Sequence, residues 1–175
     1  MKWKLLKSRD VYHTDWFNVR EDRLLTEKNE EITYSVIEFH GGGGVVVLEN
    51  DQIYLVGQYR YTLDKFSWEI VKGALTGVEK PEETIKRELA EETGIRAKSW
   101  QEIGFVNTLI GSTDDRVHLF LARDLEFGKP HPEKYEEITL KKVTFEEFEE
   151  MVEKGEVTDA TSIAAVHIAK RFLGK

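Results

Sequence analysis

The sequence has no cysteine. This excludes disulfides, thiolate zinc sites, iron–sulfur clusters and cysteine nucleophiles together, so any metal must be held by oxygen or imidazole. Proline is scarce, at 3 of 175 residues, and no proline-rich linker, low-complexity tract or internal repeat divides a length that ordinarily forms one domain. No apolar run reaches the roughly 18 residues of a membrane span. The opening MKWKLLKSRD has no apolar signal core, so neither a membrane span nor export is expected and the cytoplasm is the expected compartment. A basic excess is also missing: 25 Lys+Arg face 33 Asp+Glu, for a net charge of -8. Such a surface repels phosphate backbones and argues against broad nucleic-acid binding. Neither a Gly-x-Ser-x-Gly elbow nor a Walker loop occurs, and the 5 histidines show no paired metal spacing.

What is present is 40% hydrophobic residues, enough for a core. β-branched and aromatic runs predict strands over Trp3 to Val11, Trp16 to Leu25, Thr33 to Phe39, Val45 to Leu48, Gln52 to Tyr59 and Trp68 to Val71. Asn50-Asp51 marks a tight hairpin, and Gly41 to Gly44 reads as a turn. A helix is predicted from Pro81 to Thr93, with proline suited to the first turn and Gly94 to the exit. Strands near Ile103 to Thr108, Val117 to Ala122 and Ile138 to Val143 precede two more helices. The first opens on a Thr144/Glu147 capping box, and the second runs from about Asp159 to Leu173. The expected class is α/β, a sandwich with a mixed sheet and an N-terminal antiparallel strand region.

The chemistry concentrates in Gly73 to Ile95, GALTGVEKPEETIKRELAEETGI. At 100° per residue, Glu91 and Glu92 fall at about -60° and +40° from Glu88, so three carboxylates share a wedge of roughly 100° beside Ile85 and Leu89. Clustered oxygen ligands at the edge of a core suit Mg²⁺ or Mn²⁺. The competing reading is a solvated helix laced by the i,i+4 pairs Glu82/Lys86, Glu83/Arg87 and Arg87/Glu91. The surrounding pattern favours the metal helix. G-x5-E-x7-R-E-U-x-E-E-x-G-U, with U a bulky aliphatic, is filled at every position by Gly73, Glu79, Arg87, Glu88, Leu89, Glu91, Glu92, Gly94 and Ile95. Chance would supply such a match on the order of 10⁻⁷ per start position.

This segment resembles the box of the Nudix hydrolases. The resemblance implies an α/β/α sandwich whose box helix binds divalent metal through Glu88, Glu91 and Glu92, often with the carbonyl of the residue before the box glycine, here Lys72. It implies structural roles for Gly73, Gly94, Arg87 and Glu79, the last two pairing to hold the loop against the helix. Gln58-Tyr59-Arg60 ahead of Trp68-Glu69, and the run Thr158 to Ala165, resemble the branch that hydrolyses ADP-ribose and other nucleoside diphosphate sugars. That likeness counts Arg60, Trp68 and Glu69 with the substrate-binding residues. It also implies a homodimer, with residues 1–40 as a strand region contributing to dimerisation and 41–175 as the hydrolase domain.

Two departures bear on the substrate. No proline occurs in Thr108 to Asp115, where ADP-ribose enzymes commonly have one, and Val71-Lys72 stands where Pro-Ala is frequent. GDP-mannose therefore stays open beside ADP-ribose. Arg60 can clamp a phosphate oxygen or be a strand-end arginine. Phe17, with Trp16, can stack a base or fill a core. Asp115 can contact the nucleoside or close a turn. With Glu88 and Glu92 occupied as catalytic metal ligands, the resemblance puts a general base in Pro132 to Ile138. Strand alternation selects Glu136 over Glu137, with Glu133 in reserve. The alternatives are hydrolysis of nucleoside triphosphates or dinucleoside polyphosphates, and a nucleotide-sensing module without turnover.

Overall fold

A computed structural model describes residues 2–76 and 78–175. Met1, at the start of the expected strand region, and Gly77, inside the expected box, lie outside them. The chain falls into two compact units, residues 2–41 with 107–116, and residues 42–106 with 117–175. Residues 107–116 thus group with the first strands.

The smaller unit is an antiparallel sheet of β1 (Lys4–His13), β2 (Phe17–Leu25) and β3 (Glu31–Phe39), in that order. Its Asp22 is buried and accepts from Ser8 Oγ at 2.6 Å and Arg20 Nε at 3.0 Å. Segment 107–116 attaches through Tyr34 OH to the Gly111 carbonyl at 2.6 Å and through Ile37 N–H to the Ser112 carbonyl at 2.8 Å.

The larger unit contains β4 (Gly42–Glu49), β5 (Gln52–Arg60), β6 (Lys65–Glu69), β7 (Val71–Ala74), α1 (Pro81–Thr93), β8 (Ile95–Asn107), β9 (Arg116–Phe127), β10 (Thr139–Thr144), α2 (Phe145–Glu153) and α3 (Ala160–Phe172). Its sheet has the order β10-β5-β4-β9-β8, with β6 added to β5 and β7 to β4. β4 and β9 are parallel, whereas β4–β5, β5–β10, β5–β6 and β4–β7 are antiparallel, so the sheet is mixed. Strand alternation gives it two apolar faces. Val46, Leu48, Ile53 and Leu55 pack with Phe148 and Met151 of α2 and Ala165 and Val166 of α3. Val45, Val47 and Val56 pack with Ile85 and Leu89 of α1. The result is the expected three-layer α/β/α sandwich. Among the described residues no helix is long and apolar enough to cross a membrane.

Two local expectations are corrected. Of the four glycines expected as a turn, Gly41 takes a positive φ (78°) and Gly42 to Gly44 open β4. Their reason is close approach: a Cβ at Gly42 would lie 2.7 Å from the Gly73 carbonyl oxygen, and one at Gly43 would lie 2.9 Å from that of Pro81. The first turn of α1 therefore rests directly on β4 backbone. The run Trp68 to Val71 is not one strand but two, because the chain leaves β5 after Glu69 and joins β4 at Val71.

Candidate active site

Helix α1 forms where its ends dictate. Pro81 occupies its first turn without wasting an N–H, Glu83 Oε2 accepts from Lys80 N–H at 3.4 Å, and Gly94 closes the helix at φ 73°. Gly94 is needed there for space as well, since a Cβ would lie 2.6 Å from the Gly128 carbonyl oxygen. Ile85 and Leu89 are fully buried and seat α1 on the sheet, so the carboxylates flank its packed face.

Arg87 organises the outer part of the cluster. Its guanidinium lies 2.8 Å from Glu91, 2.9 Å from Glu88 and 3.6 Å from Glu79. Glu79 also accepts from Thr84 Oγ1 at 2.9 Å and Thr76 Oγ1 at 3.1 Å, which holds its carboxyl below the usual range. Of the i,i+4 pairs expected on this helix, Glu82/Lys86 and Arg87/Glu91 form, whereas Glu83 turns back to cap the helix.

Glu92 is the inner group. Its Oε2 is buried without a hydrogen-bond partner among the described residues. Burial, then the charges of Glu88 and Glu136, push its carboxyl up to about 8. Glu88 is raised too, chiefly by burial, with Arg87 opposing. Gly73 makes this packing feasible, because a Cβ there would fall 2.3 Å from Glu88 Cγ. Among the described residues no three His, Asp or Glu side chains converge as a ready-made cation cage. The expected wedge exists on the helix, graded from part-exposed Glu91 through the more covered Glu88 over Gly73 to the buried Oε2 of Glu92.

Glu69 is buried, with 4% of its surface exposed. Burial opposes its ionisation, yet the Arg60 fork (2.9 and 2.7 Å) and the Lys72 ammonium (3.1 Å) hold it at about 2. Arg60 is thus already engaged through Nε and Nη2, and its Nη1 takes no part in that fork. Trp68, expected beside Glu69 as a substrate contact, is partly buried against the α2/α3 core with Lys141 over its ring at 5.2 Å. Neighbouring strand residues face opposite ways, so Trp68 and Glu69 cannot share a face.

Glu136 is partly buried while Glu133 and Glu137 are exposed. Its Oε2 accepts from Glu133 N–H at 3.0 Å, and its charge acts on both Glu88 and Glu92. Ile138 packs with the α1 core, but β10 begins only at Thr139, so the strand alternation used to choose Glu136 does not extend to residues 136–138. The preceding segment is fastened to α1 by Gly128 N–H to the Gly94 carbonyl (2.8 Å) and His131 N–H to that of Glu91 (2.7 Å). Phe17 and Asp115 belong to the smaller unit. There Phe17 packs on Tyr12 and Phe39, and Asp115 Oδ2 accepts from Thr108 Oγ1 at 2.7 Å. Exposed Trp16 donates its backbone N–H to Thr14 Oγ1 at 3.2 Å.

A family model described as the NUDIX domain matches residues 38–166 of this chain. The chain belongs to the NUDIX family. The Nudix chain is 32% identical over 164 residues to an ADP-ribose pyrophosphatase of Mycobacterium tuberculosis, spanning 91% of this chain and 79% of that protein. It is 37% identical over 131 residues to an ADP-ribose pyrophosphatase of Bacillus subtilis, spanning 73% and 71%. The crystal structure of an ADP compounds hydrolase superposes with a TM-score of 0.88 over 99% of this chain and 95% of that one, at 17% identity, a likeness of fold. This Nudix protein is accordingly a pyrophosphohydrolase, similar to proteins named ADP-ribose pyrophosphatase, and enzymes of its family generally use divalent cations. Its residues fit such an ion. The unpartnered Glu92 oxygen, Glu88 beside it and the side-chain-free edge of Gly73 make an all-oxygen setting for a hard cation.

Sequence reasoning missed the Lys72 side chain. Its Nζ reaches Asp159 Oδ2 at 2.8 Å as well as Glu69. Asp159 caps α3 by accepting from Ser162 N–H (2.8 Å) and Oγ (2.6 Å). The Asp-x-x-Ser spacing signals the cap, but nothing local signals its ion pair with Lys72.

Proposed function

We propose that this Nudix enzyme hydrolyses the diphosphate bond of a nucleoside diphosphate sugar of the ADP-ribose or GDP-mannose type, giving a nucleoside monophosphate and a sugar phosphate. Mg²⁺ is the resident ion in this reading, with Mn²⁺ able to replace it. The side chains of Glu88, Glu91 and Glu92 and the carbonyl of Lys72 would hold it. When bound, the ion neutralises charge on the diphosphate oxygens and on the departing phosphate. The observation that carries the reading is the buried, unpartnered oxygen of Glu92, grouped electrostatically with Glu88 and Glu136. Leaving a buried acceptor unsatisfied is costly unless function requires it.

The chain's own groups divide the work. Glu136 takes a proton from the attacking water as its oxygen bonds to phosphorus, and the bond from that phosphorus to the bridging oxygen breaks. Glu69 fixes Arg60 so that Nη1 can meet a phosphate oxygen. Gly73, Glu79, Arg87 and Gly94 keep the loop, helix and exit in register. Phe17 and Asp115 are assigned to the nucleoside. The strands of residues 2–40 are assigned to a homodimer interface, a reading supported by exposed Trp3, Leu5, Val11, Tyr12 and Trp16.

The test is a hydrolysis panel with Mg²⁺ and Mn²⁺ over ADP-ribose, GDP-mannose, UDP-glucose, diadenosine polyphosphates and nucleoside triphosphates. Cleavage of either of the first two ahead of the triphosphates supports the reading. Preference for triphosphates or dinucleoside polyphosphates overturns it.

A further inference from the structure

The chain changes partners at Ile70. Up to Glu69 it is hydrogen-bonded to β5, and from Val71 it is hydrogen-bonded to β4. At this step two backbone donors turn to the far side of the sheet. Trp68 N–H donates to the Glu156 carbonyl at 3.2 Å, and the buried Ile70 N–H donates to Ser162 Oγ at 3.0 Å. Ser162 is itself fixed by Asp159, which also receives the Lys72 ammonium. Lys72 closes the circuit on Glu69. The strand change is therefore gripped at Ile70 and Lys72 by the first turn of α3, on the layer opposite α1.

Shortly after the strand change comes Gly73, whose missing side chain leaves the place where Glu88 lies. The position of β7 therefore sets how deeply Glu88 is seated and where the Lys72 carbonyl stands. We propose that Asp159 and Ser162 are positioning residues that set the cation affinity of the α1 site, by holding Lys72 and the strand change at Ile70 from across the sheet. The inference rests on the cation reading of α1 given above. It assigns no ligand to α3 itself.

The test is Mn²⁺ binding to the substrate-free enzyme by electron paramagnetic resonance, with the metal alone as probe. Asp159→Asn and Lys72→Met should each weaken Mn²⁺ by about 10-fold or more, the scale for losing groups that orient ligands. The double variant should be little weaker than Lys72→Met alone, because Lys72→Met already removes the pair with Asp159 along with that to Glu69, and asparagine at 159 can still accept from Ser162 N–H. Lys72→Arg keeps the charge partner and should restore affinity to within about 3-fold, a rescue that general loosening of the fold would not give. At saturating metal, KM for the nucleotide sugar should be nearly unchanged in Ser162→Ala, whose hydroxyl contacts Ile70 N–H and Asp159 and neither Glu69 nor Arg60. Ser162→Ala, which removes the acceptor for Ile70 N–H, provides the second route if Asp159→Asn does not fold, and it should also weaken Mn²⁺. Unaltered Mn²⁺ affinity in the folded variants, with Glu92→Gln impaired, overturns the positioning role alone. Unaltered affinity in Glu92→Gln as well overturns the cation reading beneath it.

Discussion

Replacing Glu92 by glutamine should change stability in a pH-dependent way that reverses when metal is added. In the metal-free protein Glu92 is held at about 8, against 4.5 for an unperturbed glutamate. Between those values the folded chain keeps a proton that the unfolded chain has lost. Its contribution to stability is therefore complete below about pH 4.5 and is lost as pH rises through about 8. The limiting slope is about 1.4 kcal/mol per pH unit, so the full span would reach about 5 kcal/mol. Coupling to Glu88 and Glu136 and local relaxation reduce this to about 1 to 3 kcal/mol. Glutamine is neutral throughout and escapes the loss. Urea unfolding in EDTA should find Glu92→Gln within about 0.5 kcal/mol of wild type at pH 5 and more stable by about 1 to 3 kcal/mol at pH 8.5. With Mg²⁺ at a hundred times its Kd the wild type alone should gain about 2.7 kcal/mol. The same stability difference at both pH values, with or without metal, would refute the reasoning.

Turnover should fall at least about 10²-fold in Glu88→Gln, since a charged group is lost from the cation setting; steady-state kinetics at saturating Mg²⁺ near the wild-type rate would remove Glu88 from it. Glu136→Gln should lower kcat by about 10² to 10⁴-fold, with the Kd for nucleotide sugar nearly unchanged. Normal Glu136→Gln beside a slow Glu133→Gln or Glu137→Gln would move the base along the loop, and three active variants would dismiss a loop base. Gly43→Ala should cost about 1 to 3 kcal/mol in urea melts, because the new methyl meets the Pro81 carbonyl oxygen and Ile85. Light scattering at micromolar concentration should find a dimer, and a fully active monomer would count against the role given to the strands of residues 2–40.

Legibility in the sequence followed the locality of the forces. Helix α1 was readable because Pro81 and Gly94 mark its ends by backbone geometry alone, and α2 because Thr144 and Glu147 cap it reciprocally at 3.1 and 2.7 Å. The Asn50-Asp51 hairpin was readable because both residues adopt positive φ. The carboxylate wedge came from helical spacing. By contrast, the strand change inside Trp68 to Val71 lies in an apolar run that reads as one strand, since choosing a pairing partner is a tertiary event. Gly42 to Gly44 read as a turn because close approach to Gly73 and Pro81 leaves no local trace. The Lys72–Asp159 pair joins residues far apart in sequence, and the Glu69–Arg60 fork meets only after β5 folds back on β6.

The fastening of the 128–131 segment to the end of α1 makes the chain around Glu136 a short leash. Glu136 lies three residues before β10 begins at Thr139, and three extended residues reach about 10 Å. A carboxylate confined to a sphere of that radius has a local concentration of about 0.4 M. Formate added to a Glu136→Ala enzyme would have to approach that level before replacing the tethered group by encounter alone. Lengthening the leash by inserted glycines should dilute the carboxylate progressively rather than abolish its action.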